Sequence, residues 1–408
     1  MGVKDLLIHL RGIMNETHLS RYRGKRAGID ISGWLYAGAV SCASELAIAA
    51  SKGVNPLDVE HTEPYEMHCI ARLELLLKYD ITPIVVFEGR TPPTKAATNA
   101  GRNRERALHL HKGFQLLAEG EREKSRREFT RAVKVTTDMA RKFRRTLAKK
   151  HPSIECIIAP YEADAELAFL SKMQYVDIVI SEDADCVPYG CKTVLFKLNS
   201  QGQAEEFRRR HIGACENFSF VGWSDLMFLQ LCVLAGCDYC PTIPNVGFVT
   251  AYKIVKECKT PDKILEYLGR TYGTDLPPAF AASFFQALLT FRHQIVYDPE
   301  NKSAAMLNDW NTSEDDVLPW FEVEPESYLG NVSISNSIAR GIAEGNLNPT
   351  TYAPYEDSRA TAAFDRTPIR PVVHVTLKRP LPPRSRNTHR RKQLKTRAGI
   401  DSDISVEV

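Results

Sequence analysis

At 408 residues and 43% apolar content, the chain can bury a sizeable core, in one large domain or two smaller ones. No apolar run approaches membrane-spanning length, and Met1–Leu10 is too short and interrupted for a secretory signal, so no membrane partner is expected. Ten cysteines are scattered singly, and the Cys237/Cys240 pair lacks a second pair to complete a zinc site, which fits structural thiols in a reducing compartment.

The net charge of +3 conceals a very uneven distribution along the chain. Met1–Asn15 reads as a short amphipathic helix with Leu6, Leu7, Leu10 and Ile13 on one face. Ala27–Ile29 reads as a strand that delivers Asp30, and a helical pattern begins at Trp34 and Leu35 and runs towards Ala50. After the polar break Ser51–Pro64 come an amphipathic helix, Tyr65–Tyr79, and a strand, Pro83–Phe87, that delivers Glu88. Thr91-Pro92-Pro93 then ends regular structure.

Residues 95–150 hold 17 Lys and Arg against 6 Asp and Glu, with apolar residues such as Leu108, Phe129, Phe143 and Leu147 at helical spacing. A solvated helix face explains an ordinary charge run, but an excess this one-sided points to a phosphate-binding surface. Lys95 and Arg102, seven residues apart, share one helical face and lie soonest after the acidic strand ends. They could stabilise charge developing on a phosphate.

Ile154–Ile158 and Val176–Ile180 read as buried parallel strands joined by a helix that starts near Pro160. Glu162, Asp164 and Glu166 follow the first, and Glu182, Asp183 and Asp185 follow the second. Asp238 ends the apolar helical run Met227–Ala235. In open α/β sheets the ligand crevice lies outside the carboxyl ends of the strands. Single acids there are commonly helix caps, but so many in one crevice need cations to neutralise them. All-oxygen ligands suit Mg²⁺ or Mn²⁺, and two such ions can clamp the attacking and leaving oxygens of a phosphodiester.

Lys192–Leu198 reads as a further strand, and Gly202–Gly213 as a polar, basic segment. Trp223-Ser224-Asp225 caps the helix Leu226–Ala235, a Pro- and Gly-containing loop follows, and a second helix spans Phe248–Cys258. That helix–loop–helix shape can hold a phosphate backbone through amides and a helix N-terminus. Residues 260–350 alternate helical patterns and loops. Arg366–Arg397 contains 11 Lys and Arg and five Pro without periodicity and reads as disordered. Lys378-Arg379 with Arg390-Arg391-Lys392 reads as a split nuclear-import signal, for which non-specific nucleic-acid binding is the alternative.

These motifs resemble the structure-specific 5′ nuclease family (flap endonuclease / XPG-like), nearest its eukaryotic exonuclease 1 branch. The resemblance rests on MGVKDLL at the start, GIDISGWLYAGA (28–39), VVFEGR (85–90), APYEADAELAFL (159–170), SEDADCVPYGCK (181–192), LAGCDYC (234–240) and TFRHQIVYDP (290–299). It implies an α/β fold, with a twisted, mainly parallel sheet flanked by helices (the PIN-like 5′ nuclease fold), a helical arch and a helix–two-turn–helix module. The implied boundaries are a nuclease domain over 1–350 and a basic disordered tail over 356–408. Within the domain, the N-terminal region covers about 1–100, the arch about 91–150, the internal region about 151–220 and the module about 223–258.

By the same resemblance, metal ligands fall on Asp30, Glu88, Glu162, Asp164, Asp183, Asp185 and Asp238, and the catalytic arch cations on Lys95 and Arg102. Glu162, Asp164, Asp30 and Glu88 would serve one ion, with Asp183, Asp185 and Asp238 mainly around the second. Gly2 matches the family's N-terminal residue beside the active site, and Tyr36 a position where flap endonucleases stack an aromatic on a base. Thr242, Val246, Gly247 and Lys253 fall in the duplex-binding module, which in the family holds K⁺.

Four departures stand out. Glu88 replaces an Asp, making one metal ligand a methylene longer. Ser32 replaces a tyrosine. Asn245-Val246-Gly247 replaces Gly-hydrophobic-Gly, and Ala235 replaces a cation-contacting serine, which bears on K⁺ binding. Last, neither the long tail for mismatch-repair proteins nor a sliding-clamp motif follows the domain, so neither partner is assigned. The implied activity is two-metal hydrolysis of DNA near a 5′ end, at recessed ends, nicks or flaps, by a nuclear monomer. The resemblance implies a 5′→3′ double-stranded DNA exonuclease with 5′-flap endonuclease activity in DNA repair and recombination, with a predominantly flap-specific endonuclease or a DNA-binding protein with a weakened site as the alternatives.

Overall fold

The computed structural model describes residues 2–53, 64–308 and 325–355, and the polar break at 54–63 and the tail at 356–408 lie outside them. Both apolar runs of the central motif are strands, in a seven-stranded sheet. Its strands are β1 (Asn15–His18), β2 (Arg26–Asp30), β3 (Thr82–Phe87), β4 (Glu155–Ile158), β5 (Ile178–Ile180), β6 (Thr193–Phe196) and β7 (Gln203–Arg208). They lie in the order β1-β7-β6-β5-β2-β3-β4. The five strands from β6 to β4 run parallel, and β7 pairs antiparallel with both β6 and β1. In β3, Pro83 to Phe87 are all buried, as expected of a parallel strand covered on both faces. A small hairpin, β8 (Ile295–Asp298) with β9 (Ser303–Met306), follows later.

The expected N-terminal helix is only one turn, α1 (Leu6–His9), followed by a 3-10 turn, Arg11–Ile13, before the chain extends into β1. The expected helix towards Ala50 is two, α2 (Ile31–Ser41) and α3 (Ala43–Ser51), bent by 80°. Near the bend, the Ser41 hydroxyl donates to the Gly38 carbonyl at 2.6 Å, an alternative to the helical ladder. Helix α4 (Pro64–Lys78) buries Tyr65, Cys69, Leu73 and Leu76 on one face.

The basic region forms α5 (Ala96–Ala118), α6 (Arg122–Ala132) and α7 (Thr137–Lys150). At 23 residues, α5 is ~35 Å long. It packs on α6 where Gly113 meets Phe129, whose ring would lie 2.6 Å from any Cβ at that position. Leu108, at helical spacing with the core residues, is instead 70% exposed. In α7 the stripe Met139, Phe143 and Leu147 faces the core, leaving the basic side chains outside.

The remaining helices are α8 (Ala163–Lys172), α9 (Cys186–Tyr189), α10 (Asp225–Ala235), α11 (Phe248–Cys258), α12 (Pro261–Tyr272), α13 (Phe280–His293), α14 (Glu326–Leu329) and α15 (Asn336–Ala343). Ser224 caps α10 by accepting from the Met227 amide at 3.1 Å, as the sequence predicts. Helices α10 and α11 pack together, and His9 of α1 stacks on Phe248 at 4.2 Å, tying the N-terminus to them. The polar segment Gly202–Gly213 contains β7, whose pairing with β1 needs two segments nearly 190 residues apart to meet. Period-two alternation was too short there to mark it.

Candidate metal centre and nucleic-acid interface

Because β2, β3, β4 and β5 are parallel and in register, their carboxyl ends open on one edge of the sheet. Asp30 is the last residue of β2, and Glu88 follows β3 directly. Glu162 is the N-cap of α8 and Asp164 lies in its first turn, while Asp183 and Asp185 lead from β5 into α9. Each acid is held. Asp30 accepts from the Ser181 hydroxyl at 2.8 Å and the Ser32 amide at 2.9 Å. Glu88 accepts from the Ala163 amide at 2.9 Å, so the longer side chain still reaches back to the start of α8. Asp164 accepts from the Cys186 thiol at 3.0 Å, and Asp185 from the Val3 amide at 2.8 Å.

One oxygen from each of Asp164, Asp183 and Asp185 lies within 4.8 Å of the others. Gly2 closes this cluster: a Cβ there would sit 2.2 Å from Asp183 Oδ1 and 2.7 Å from Asp185 Oδ1, and its φ is +82°. Asp164, which the resemblance groups with Glu162, therefore stands where both groups of acids meet.

Lys95 and Arg102 enter from the base of α5. The Lys95 ammonium contacts Glu162 Oε2 and lies 3.3 Å from Asp238 Oδ2, and Arg102 pairs with Asp238 Oδ1 at 2.7 Å. The Thr98 hydroxyl donates to the Asp238 carbonyl at 2.8 Å. The two cations thus converge on the acids, although Lys95 itself sits in the 3-10 turn preceding the helix.

The electrostatics follow from crowding. Burial, then the acids around them, raises the pKa of Asp30 and holds Asp164 and Asp185 well above the usual carboxylate range. Glu88, although open to solvent, is pushed up to about 8 by lost hydration in the crevice and then by Glu162. Burial would lower the Lys95 ammonium, but Glu162, Glu88 and Asp238 outweigh it and hold it well above the ordinary lysine range. Carboxylates that bind protons this readily lack compensating positive charge. Hard oxygen donors in that state suit Mg²⁺ or Mn²⁺.

Not every acid of the central motif joins the crevice. Glu166 turns away and accepts from the Tyr297 amide at 2.8 Å, its carboxyl pushed up to about 8 by burial. Glu182 lies on the side of Arg72. Ser181, Tyr239 and Gln294 bond the site acids directly, and Tyr189 joins them through Tyr239 and Gln294, none of the four being singled out by the sequence reading. For Ser181, Tyr189 and Tyr239 the only sequence signal is their place inside the acidic motifs.

Tyr36 is 38% exposed on α2, the helix that Asp30 caps. In the module, Thr242, Gly247 and Lys253 are exposed. The Val246 side chain is buried and its amide donates to the Ile243 carbonyl at 3.1 Å, so it fills the underside of the turn. Asn245 takes the left-handed conformation, φ +64°, that its asparagine tolerates in place of glycine. Gly247 caps α11 with no side-chain bond, leaving the first amides of that helix for an outside acceptor. Among the described residues the cysteines are all free; burial, the leading cause, pushes the Cys237 thiol up to about 12.

A sequence model of the XPG N-terminal domain matches residues 1–109, and one of the XPG I-region matches residues 153–238. The chain is 34% identical to Exonuclease 1 of Xenopus laevis over 361 residues, which is 88% of this chain and 46% of that protein. It is 30% identical to Exodeoxyribonuclease 1 of Schizosaccharomyces pombe, covering 90% of this chain and 61% of the relative. With DNA damage-inducible protein DIN7 of Saccharomyces cerevisiae the identity is 34%, over 76% of this chain and 69% of the other. The chain thus spans under half the length of the frog relative. In three dimensions it resembles the catalytic core of Rad2, solved with DNA substrate, at a TM-score of 0.51 and 19% identity, covering 71% of this chain and 86% of that one. This likeness concerns the fold. With both XPG domain matches in order and the DIN7 relative covered over two thirds of its length, the chain belongs to the XPG family of 5′ nucleases.

Proposed function

We propose that this chain is a metal-dependent 5′→3′ double-stranded DNA exonuclease with 5′-flap endonuclease activity, acting in nuclear DNA repair and recombination. The observation that carries this reading is the convergence of Lys95 and Arg102 on Glu162 and Asp238, beside the Asp164–Asp183–Asp185 cluster. Asp30, Glu88, Glu162, Asp164, Asp183, Asp185 and Asp238 would hold two Mg²⁺ or Mn²⁺ ions. Such ions, when bound, supply a nucleophile at neutral pH and charge stabilisation at the attacking and leaving oxygens.

The chain's own residues do the rest. Lys95 and Arg102 aim positive charge at the scissile phosphate from the arch base. Thr242, Gly247, Lys253 and the open start of α11 hold the duplex backbone without reading sequence. The exposed Tyr36 gives a surface on which the terminal base stacks, and it favours, as a second reading, a predominantly flap-specific endonuclease. K⁺ at the module, and mismatch-repair or sliding-clamp proteins as partners, belong to the family resemblance.

The test is cleavage of a 5′-labelled recessed duplex and a 5′-flap substrate in Mg²⁺, comparing the unaltered protein with Asp185→Ala. Mononucleotides from the recessed end support the exonuclease, and release of an intact flap alone supports the second reading. If neither protein cuts in Mg²⁺ or Mn²⁺ while both bind DNA, a DNA-binding scaffold takes the place of both.

A further inference from the structure

Behind the acid crevice, a buried circuit of hydrogen bonds begins and ends on one residue. The Glu162 amide donates to Gln294 Oε1 at 3.1 Å. Gln294 Nε2 donates to the Tyr189 hydroxyl at 3.1 Å, and the Tyr189 and Tyr239 hydroxyls lie 2.6 Å apart. The Tyr239 hydroxyl then donates to Glu162 Oε2 at 3.3 Å. All three relay side chains are buried, and Gln294 is fully so.

The direction of every proton in this circuit is determined. The Glu162 N–H needs an acceptor, which sets the amide of Gln294 with its oxygen towards Glu162 and its NH₂ towards Tyr189. Tyr189 therefore receives a proton from Gln294 and passes its own to Tyr239. Tyr239 in turn can only donate to Glu162, because a carboxylate only accepts. Phe291 packs against both phenol rings, with centroids 4.7 Å from Tyr189 and 4.9 Å from Tyr239, and so buttresses the pair. Both donors to the carboxylate, Tyr239 and Lys95, land on Oε2, and no donor among the described residues reaches Oε1.

We infer that Gln294, Tyr189 and Tyr239 are positioning residues that orient the Glu162 carboxylate, turning Oε1 towards the crevice as the oxygen offered to a divalent cation. The inference rests on the reading of Glu162 as a metal ligand. Outer partners of metal-binding carboxylates set their orientation, and losing one costs ~10–100-fold in metal affinity or activity. The arrangement also explains why the last residue of the TFRHQ segment, over 130 residues downstream, belongs to the site.

The test is calorimetric titration of Ca²⁺, with no turnover, into the full chain and into Tyr239→Phe, Tyr189→Phe, their double variant and Glu162→Gln. Melting curves in EDTA establish that each is folded. Tyr239→Phe is expected to weaken Ca²⁺ binding about 10-fold. Tyr189→Phe should weaken it less, because Tyr239 still reaches Glu162. Residues acting in series are not additive, so the double variant should bind no more weakly than Tyr239→Phe. With DNA and Mg²⁺, kcat should fall while KM stays the same. Ca²⁺ binding by Tyr239→Phe equal to that of the unaltered protein would overturn the positioning role, as would fully additive losses in the double variant. Unchanged binding by Glu162→Gln would instead overturn the metal-ligand reading of Glu162, and the positioning role with it.

Discussion

Buried carboxylates occur at two places on the sheet, and they resolve their charge in opposite ways. On the antiparallel side, Glu206 of β7 accepts from the Tyr22 hydroxyl at 2.5 Å and pairs with Arg208 at 2.7 Å. Burial alone would raise its pKa, but Arg208 and Tyr22 outweigh that and lower it. At the carboxyl ends of the parallel strands, Asp30, Asp164 and Asp185 are pushed the other way by burial and by one another. Glu206, which serves the fold, brings its own counter-charge in Arg208, whereas Glu166, turned away from the crevice, has only the Tyr297 amide and stays raised by burial. The crevice acids leave a deficit of positive charge that an external cation can fill.

Replacing an acid in each place separates the two cases most sharply. Asp185→Asn keeps an acceptor for the Val3 amide but removes a charge, and its cleavage rate should fall more than ~100-fold, beyond the loss for an outer-shell partner. In EDTA the same variant should melt at a higher temperature than the unaltered protein, because like-charge repulsion is relieved. Glu206→Gln should melt lower, by the ~1.5–3 kcal/mol of a hydrogen bond to a charged group, with cleavage nearly intact. A lower melting temperature for both would break the contrast.

The pH dependence of metal-free stability should carry the same signs. A carboxyl whose folded pKa is raised stabilises the fold fully below its unfolded pKa, and that stability is lost as pH rises through the folded value. With Glu88 at about 8 and Asp30, Asp164 and Asp185 also raised, metal-free melting temperatures should decline from about pH 4 to pH 8. Added Mg²⁺ should flatten the decline. Glu206, lowered, acts oppositely, and its contribution is lost only as pH falls below the ordinary glutamate range. Melting curves across pH, with and without Mg²⁺, check both signs.

Two smaller effects sharpen the boundary of the site. Gly330 has φ +86°, and a Cβ there would lie 2.1 Å from the hydroxyl of Tyr161, the residue preceding Glu162, which accepts from the Asn331 amide at 2.6 Å. Gly330→Ala should therefore destabilise by about 1–3 kcal/mol, read from chemical denaturation. At the exposed module, Lys253→Ala should raise KM for duplex DNA a few-fold and reduce the salt slope of binding by about 1, with kcat unchanged.

What could be read from local sequence is what local physics controls. The runs Ile154–Ile158 and Val176–Ile180 are apolar enough to read as strands of a covered sheet, and acids directly after parallel strands emerge on one edge. Asp30, Glu162, Asp183 and the rest were legible for that reason, as was the Ser224 cap. Tertiary structure decided what depends on distant partners. Asp164 and Glu166 are alike in sequence, yet two residues along a helix turns a side chain by about 200°, and β8 claims the second. Val246 faces inward because the turn needs a filler, and β7 is a strand because β1 and β6 pair with it. Gln294 meets Glu162 only once α13 has packed against α9 and α10, because a hydrogen bond between residues so far apart leaves no periodic trace in either segment.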